Sequence, residues 1–215
     1  MRAGRFRRRV GEAMIDGRME EETLATNPMR LSADDLLDIT VPDHLRGHEL
    51  VDGGIVEVSH VSPVHARLAA QIAHRMLEHV ERERIDGAVY VQVGCVLGLP
   101  HDPERSRAPD VAFVAGDTLR QRGGEPERGL FRLTPDLVVE VDSPNRRPSV
   151  EQNRIQDWLD AGVRLLWVVH TASRSSTVYR PDGTARLLRE SDVLEGETVL
   201  PGFRLPLAEL FVGSH

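Results

Sequence analysis

Residues 135–144 read Pro-Asp-Leu-Val-Val-Glu-Val-Asp-Ser-Pro, and within them Leu137–Val141 is an apolar run broken by a single carboxylate. A run of this length, made of Leu and Val and bounded by turn residues, reads as a strand covered on both faces. An ionised Glu140 inside such a strand is costly unless it is paired or bound to a metal. Side chains alternate along a strand, so Asp136, Glu140 and Asp142 share one side of it. A second apolar run, Val111–Val114, is entered by Pro109-Asp110. Asp110 therefore stands at the start of another short strand, and two carboxylates on neighbouring strands can converge on one site. An Asp capping a turn and a Glu paired with an Arg is the plainer alternative on spacing alone.

Working outward, Ser149 is expected to cap a helix running to Ala161 and stopped by Gly162. Leu165–Val169 then reads as a second buried strand. Upstream, Ser62 and Pro63 open a helix expected to run to about Arg84. Val64, Leu68, Ile72, Met76 and Val80 form its apolar stripe. His48–Val51 and Ile55–Val58 flank Asp52-Gly53-Gly54, a hairpin signal. Ala88–Leu99 reads as one long strand, and Gly116–Gly129 as a surface loop or short helix. Ser32 caps a short helix to about Leu37. The tail is expected to alternate strands at Thr177–Arg180, Ala185–Leu188 and Thr198–Leu200 with turns, ending in a short turn at Leu207–Phe211. Helices on both sides of central strands give an α/β class, a mixed β-sheet flanked by helices in a single domain.

Composition narrows the chemistry. All 27 basic residues are Arg, because the chain contains no Lys. A Walker A loop, a pyridoxal Schiff base, a Ser–Lys dyad and the kinase strand all require Lys and drop out together. One cysteine, Cys95, excludes an intramolecular disulfide and a Cys-rich zinc site. No apolar run approaches about 18 residues, so no membrane span is expected, and a cytoplasmic protein is the simple reading. The net charge of −7 argues mildly against a DNA-coating role. It leaves room for an enzyme that holds a metal with carboxylates. Residues 1–28, rich in Arg near their start, are read as a disordered basic extension preceding a domain at 29–215.

Several segments, in order, resemble the Uma2 family of restriction-endonuclease-like proteins. They are Glu49-Leu50-Val51-Asp52-Gly53, Ser62-Pro63-Val64-His65, Pro109 to Val114, Pro135 to Pro144, Ala161-Gly162-Val163 with Trp167-Val168-Val169, and Leu200-Pro201-Gly202-Phe203. The resemblance covers residues 43–212. It implies the fold of the PD-(D/E)XK metal-dependent nucleases and a Mg²⁺- or Mn²⁺-dependent endonuclease acting on DNA. Under it, Asp110, Glu140 and Asp142 are the expected metal ligands. Glu49, Asp110, Glu140 and Arg154 are the expected catalytic set, and Arg146, Arg147 and His65 the expected phosphate contacts. A homodimer is a further expectation.

The chain departs from the family pattern at three places, one of them Gly54, which stands where many relatives have a further Glu. Asp142 stands where the superfamily pattern has Lys, and Arg154 stands where the resemblance places the displaced family lysine. An Arg binds phosphate well but does not easily give up a proton. A nuclease-fold module that has lost catalysis, and binds nucleic acid or a protein partner, is therefore the alternative.

Overall fold

The computed structural model describes residues 30–38, 48–57, 62–142 and 148–212. The expectations for residues 1–28, and for Arg146 and Arg147, lie outside the described residues.

The centre is a six-stranded sheet of β3 (Gly87–Val91), β6 (Val111–Ala115), β7 (Leu137–Val141), β8 (Leu165–His170), β9 (Ser175–Tyr179) and β10 (Ala185–Leu188). Its order is β10-β9-β8-β7-β6-β3. Only β7 and β8 pair in parallel; every other neighbour pair is antiparallel. A parallel pair needs a crossover, usually a helix. Here that crossover contains α4 (Pro148–Asp160), which joins the end of β7 to the start of β8.

Alternation along the strands sorts two cores. Val111, Phe113, Leu137, Val139, Leu165 and Trp167 pack with Leu68, Ile72 and Met76 of α2 (Pro63–Glu83). Val114, Val138, Leu166 and Val168 pack on the other side with Trp158 of α4. Burial on both faces accounts for the apolar run that the sequence shows at β7. It also fixes the side of Glu140: sharing parity with Val138, it lies on the α4 face of the sheet.

Three two-stranded ribbons complete the fold. They are β1 (His48–Val51) with β2 (Gly54–Glu57), β4 (Cys95–Val96) with β5 (Ser106–Arg107), and β11 (Val193–Glu195) with β12 (Arg204–Pro206). Two short helices follow β6 and β12, α3 (Gly116–Gln121) and α5 (Leu207–Leu210), and α1 (Ala33–Asp38) precedes the hairpin. Ser32 caps α1: its Oγ accepts from the Asp35 amide at 3.2 Å, and its own amide donates to the Asp35 carboxylate at 2.9 Å.

Some expectations are corrected. The run Ala88–Leu99 is two strands, because Gln92 takes a positive φ of 50° and the chain leaves the large sheet to form β4. The hairpin turn is Asp52-Gly53, with φ 53° and 75°, while Gly54 already belongs to β2. Val64 is exposed at 41%, and His65 beside it is the buried residue at the start of α2. Helix α4 starts at Pro148, so Ser149 lies inside its first turn. Proline suits that first position because its missing N–H has no intrahelical partner to lose. Thr198–Leu200 forms a turn, and the strand of that region is β11.

The α2 stripe carries much of the core. Replacing the fully buried Ile72 by Ala should cost about 2–5 kcal/mol, whereas Leu187→Ala, at a site 60% exposed, should change stability by less than about 0.5 kcal/mol. Urea unfolding of the two variants checks the contrast, and equal losses would contradict the assignment of the core.

Candidate metal centre

The register of the sheet brings the two strand carboxylates together. β6 and β7 pair with Val111 opposite Val139 and Ala112 opposite Val138. Continuing by one residue sets Asp110 opposite Glu140, on the face that α4 covers. The Asp110 carboxylate accepts the Val141 amide at 2.7 Å. Its other oxygen lies 2.9 Å from Nε2 of His65. Both carboxylates are buried.

The helix supplies the cation. Arg154, Asp157 and Trp158 are spaced i, i+3 and i+4 on α4, which puts them on one face of the helix, and all three are buried. The Arg154 guanidinium donates to both oxygens of Glu140, from Nε at 3.2 Å and from Nη2 at 2.8 Å. Its Nη1 pairs with Glu49, and Nη2 also reaches the Ala108 carbonyl at 2.9 Å. Trp158 adds an indole N–H to Glu140 at 2.8 Å. Arg154 is thus far from a solvated helix residue: it is 4% exposed.

The hairpin brings the third carboxylate. The Leu50 amide donates to the Ser106 hydroxyl at 2.9 Å, tying β1 to β5. Glu49 then accepts from Arg107 at 2.6 Å and from the Ala108 amide at 3.0 Å. Arg107 pairs in turn with Asp157. Arg105 links Asp157 at 2.8 Å, Asp102 at 3.0 Å and Asp52 at 2.8 Å. An ionic network, buried except at the exposed Asp52, therefore runs from the hairpin turn to α4.

The electrostatics follow from this packing. Burial, together with the neighbouring Asp110 charge, pushes the Glu140 carboxyl above its usual range, against the opposing pull of Arg154 and Trp158. Burial acts on Glu49 in the same sense, but Arg154, Arg107 and the Ala108 amide outweigh it and hold that carboxyl low. The carboxylates of Glu140 and Glu49 likewise outweigh burial at Arg154 and raise its pKa. Around the site the four carboxylates of Glu49, Asp110, Glu140 and Asp157 stand against the three guanidinium groups of Arg105, Arg107 and Arg154, so carboxylates are in excess. A set of carboxylate oxygens in such surroundings suits a hard divalent cation.

Asp142 follows β7 and, with Glu140, Glu151 and Arg154, lines a narrow crevice. Its carboxylate accepts the Thr171 amide at 2.7 Å and lies 3.6 Å from His170. Despite its partial burial, these groups hold its pKa low. Asp142, Glu151 and His170 each offer a ligand atom, all within 4.8 Å of one another. Asp136, the other carboxylate of that strand face, caps the Ala115 amide at 2.8 Å and pairs with Arg164 at 3.0 Å.

The structure thus gathers Glu49, His65, Asp110, Glu140 and Arg154, and Asp142 lines the crevice. Sequence reading missed Arg105, Arg107, Asp157 and Trp158. The alternation in Arg105-Ser106-Arg107 just before Asp110, and the spacing of Asp157 and Trp158 from Arg154, were the available signals.

The family model "Uma2: Putative restriction endonuclease" matches residues 33–208. Among solved structures, a "putative nuclease belonging to DUF820" from Anabaena variabilis matches with a TM-score of 0.70 and 18% identity, over 84% of this chain and 97% of that one. At that identity the likeness is one of fold: a mixed sheet flanked by helices, of the restriction-endonuclease-like type. No curated protein matches the chain.

The pairing of Glu49 has a pH signature. A carboxyl whose folded pKa is lowered contributes stability that is present above its ordinary titration and is lost as pH falls through the folded value. Acid unfolding of Glu49→Gln should therefore show a shallower loss of stability than the parent chain as pH falls below the ordinary carboxyl value of 4.5. An equally steep acid limb would contradict this. Arg154→Met, which leaves Glu140 without a cation and Glu49 with Arg107 alone, should cost about 3–5 kcal/mol at neutral pH by urea unfolding.

Proposed function

The chain belongs to the Uma2 family, and we propose that it is a divalent-metal-dependent endonuclease hydrolysing phosphodiester bonds of DNA. The observation that carries this reading is the meeting of Asp110 and Glu140 across the β6–β7 register, beside the Arg154 guanidinium. Asp110 and Glu140 would hold Mg²⁺ or Mn²⁺, with Asp142 lining the crevice beside Glu140. The bound ion would polarise a phosphoryl oxygen and lower the pKa of a coordinated water.

The residues of the chain divide the remaining work. Asp110 is fixed at both oxygens, by His65 and by the Val141 amide. Glu140 is fixed by Arg154 and Trp158. Glu49 is anchored to Arg107 and anchors Arg154 in turn. A guanidinium has five N–H groups, and four hydrogen bonds of Arg154 go to Glu140, Glu49 and Ala108. The remaining N–H is the one through which Arg154 would stabilise charge on a phosphate. Arg146 and Arg147, between Asp142 and α4 in the chain, are assigned to backbone phosphates.

A second reading is a nuclease-fold module that binds nucleic acid or a protein partner without cutting. It is favoured by the fact that both oxygens of Glu140 already accept hydrogen bonds from Arg154. Incubation with supercoiled plasmid and Mg²⁺ or Mn²⁺ separates the two. The proposed function predicts nicking or linearisation that falls to background in Asp110→Ala and Glu140→Ala, while the surface variant Leu187→Ala stays active. Absence of cleavage by the parent chain with either metal would favour the binding module.

A further inference from the structure

We infer that His65 is a positioning residue for Asp110: through a proton on Nε2 it holds one oxygen of that carboxylate while the Val141 amide holds the other. This rests on the metal-centre reading above and assigns His65 a role other than phosphate contact.

The placement begins with the sequence Ser62-Pro63-Val64-His65. Ser62 is extended at φ −70° and ψ 156° and accepts the His65 amide at its Oγ, at 3.2 Å. Pro63 opens the helix, so His65 falls in the first turn with its ring turned inward, 1% exposed. Its Nε2 lies 2.9 Å from Oδ1 of Asp110. A carboxylate oxygen can only accept, so the ring donates there. Nδ1 is buried and has no hydrogen-bond partner among the described residues. All the polar anchoring of the ring is therefore spent on Asp110.

The consequence is directional. Asp110 immediately precedes the ladder of β6, and nothing in the β6–β7 pairing by itself fixes its side-chain torsion. Donors at Oδ1 and Oδ2 fix the carboxylate plane, leaving the second lone pair of each oxygen for another partner. Groups that orient a metal-binding side chain typically contribute about 10–100-fold to metal affinity.

The test is Mn²⁺ calorimetry on the full chain and on His65→Gln and His65→Leu, with thermal unfolding as a check on folding. Gln can place its amide N–H where Nε2 stands, whereas Leu keeps the bulk and loses the donor. The inference predicts that His65→Leu weakens Mn²⁺ binding by about tenfold or more, that Gln recovers most of it, and that both fold. Equal affinity in all three, or equal loss in Gln and Leu, would overturn it. A second measurement is independent of metal: ¹⁵N NMR of the imidazole should show the proton on Nε2, with the Nε2–H signal shifting in Asp110→Asn. A neutral ring protonated on Nδ1 would overturn the inference. A parent chain that binds no Mn²⁺ sinks the metal-centre reading alone, and the NMR result then decides the role of His65.

Discussion

One buried guanidinium organises this molecule. Arg154 bridges Glu140 on the central sheet and Glu49 on the hairpin, and it sits on a helix whose only route into the fold is the β7–β8 crossover. Removing the guanidinium would leave Glu140 buried without a cation and Glu49 with Arg107 alone. Burying such a group is tolerated only because every partner is held in turn: Glu49 by Arg107, Arg107 by Asp157, and Glu140 by Trp158. The hairpin, the β4–β5 ribbon and α4 are thereby fixed relative to the central sheet by ionic contacts as much as by packing.

That arrangement sets the site's character. Breaking a buried pair costs far more than the pair contributes over an apolar replacement. A network of this size is thus weak evidence about stability and better evidence of a local need for charge. The need is legible in the balance: burial raises the Glu140 pKa, Asp110 on the same face adds to the rise, and the guanidinium is already shared. Carboxylates still outnumber the guanidinium groups of Arg105, Arg107 and Arg154 around the site, a condition under which a divalent ion is attracted to oxygen ligands.

Much of the fold was readable because burial writes itself into composition. β8 appears as an apolar run and β7 as one broken only by Glu140, α2 as a stripe at Leu68, Ile72, Met76 and Val80, and the hairpin as a Gly-containing turn between β-prone residues. The misreadings share a cause. Val93 to Leu99 looks like continued strand, yet the chain turns at Gln92 into a separate ribbon, a choice set by tertiary contacts with Phe131 rather than by local preference. The site was legible only in part. Glu140 and Asp110 betray themselves as charges in apolar strands. Arg105, Arg107 and Asp157 do not, because an Arg in a polar loop and an Asp on a helix are ordinary in sequence and become special only when their partners close over them.

Anomalous diffraction from crystals soaked in Mn²⁺ tests the central claim most directly. The account predicts a peak within about 2.0–2.6 Å of oxygens from both Asp110 and Glu140, the range spanned by carboxylate ligands of hard cations. A fully soaked crystal with no peak there, or with density only among Asp142, Glu151 and His170, would contradict it.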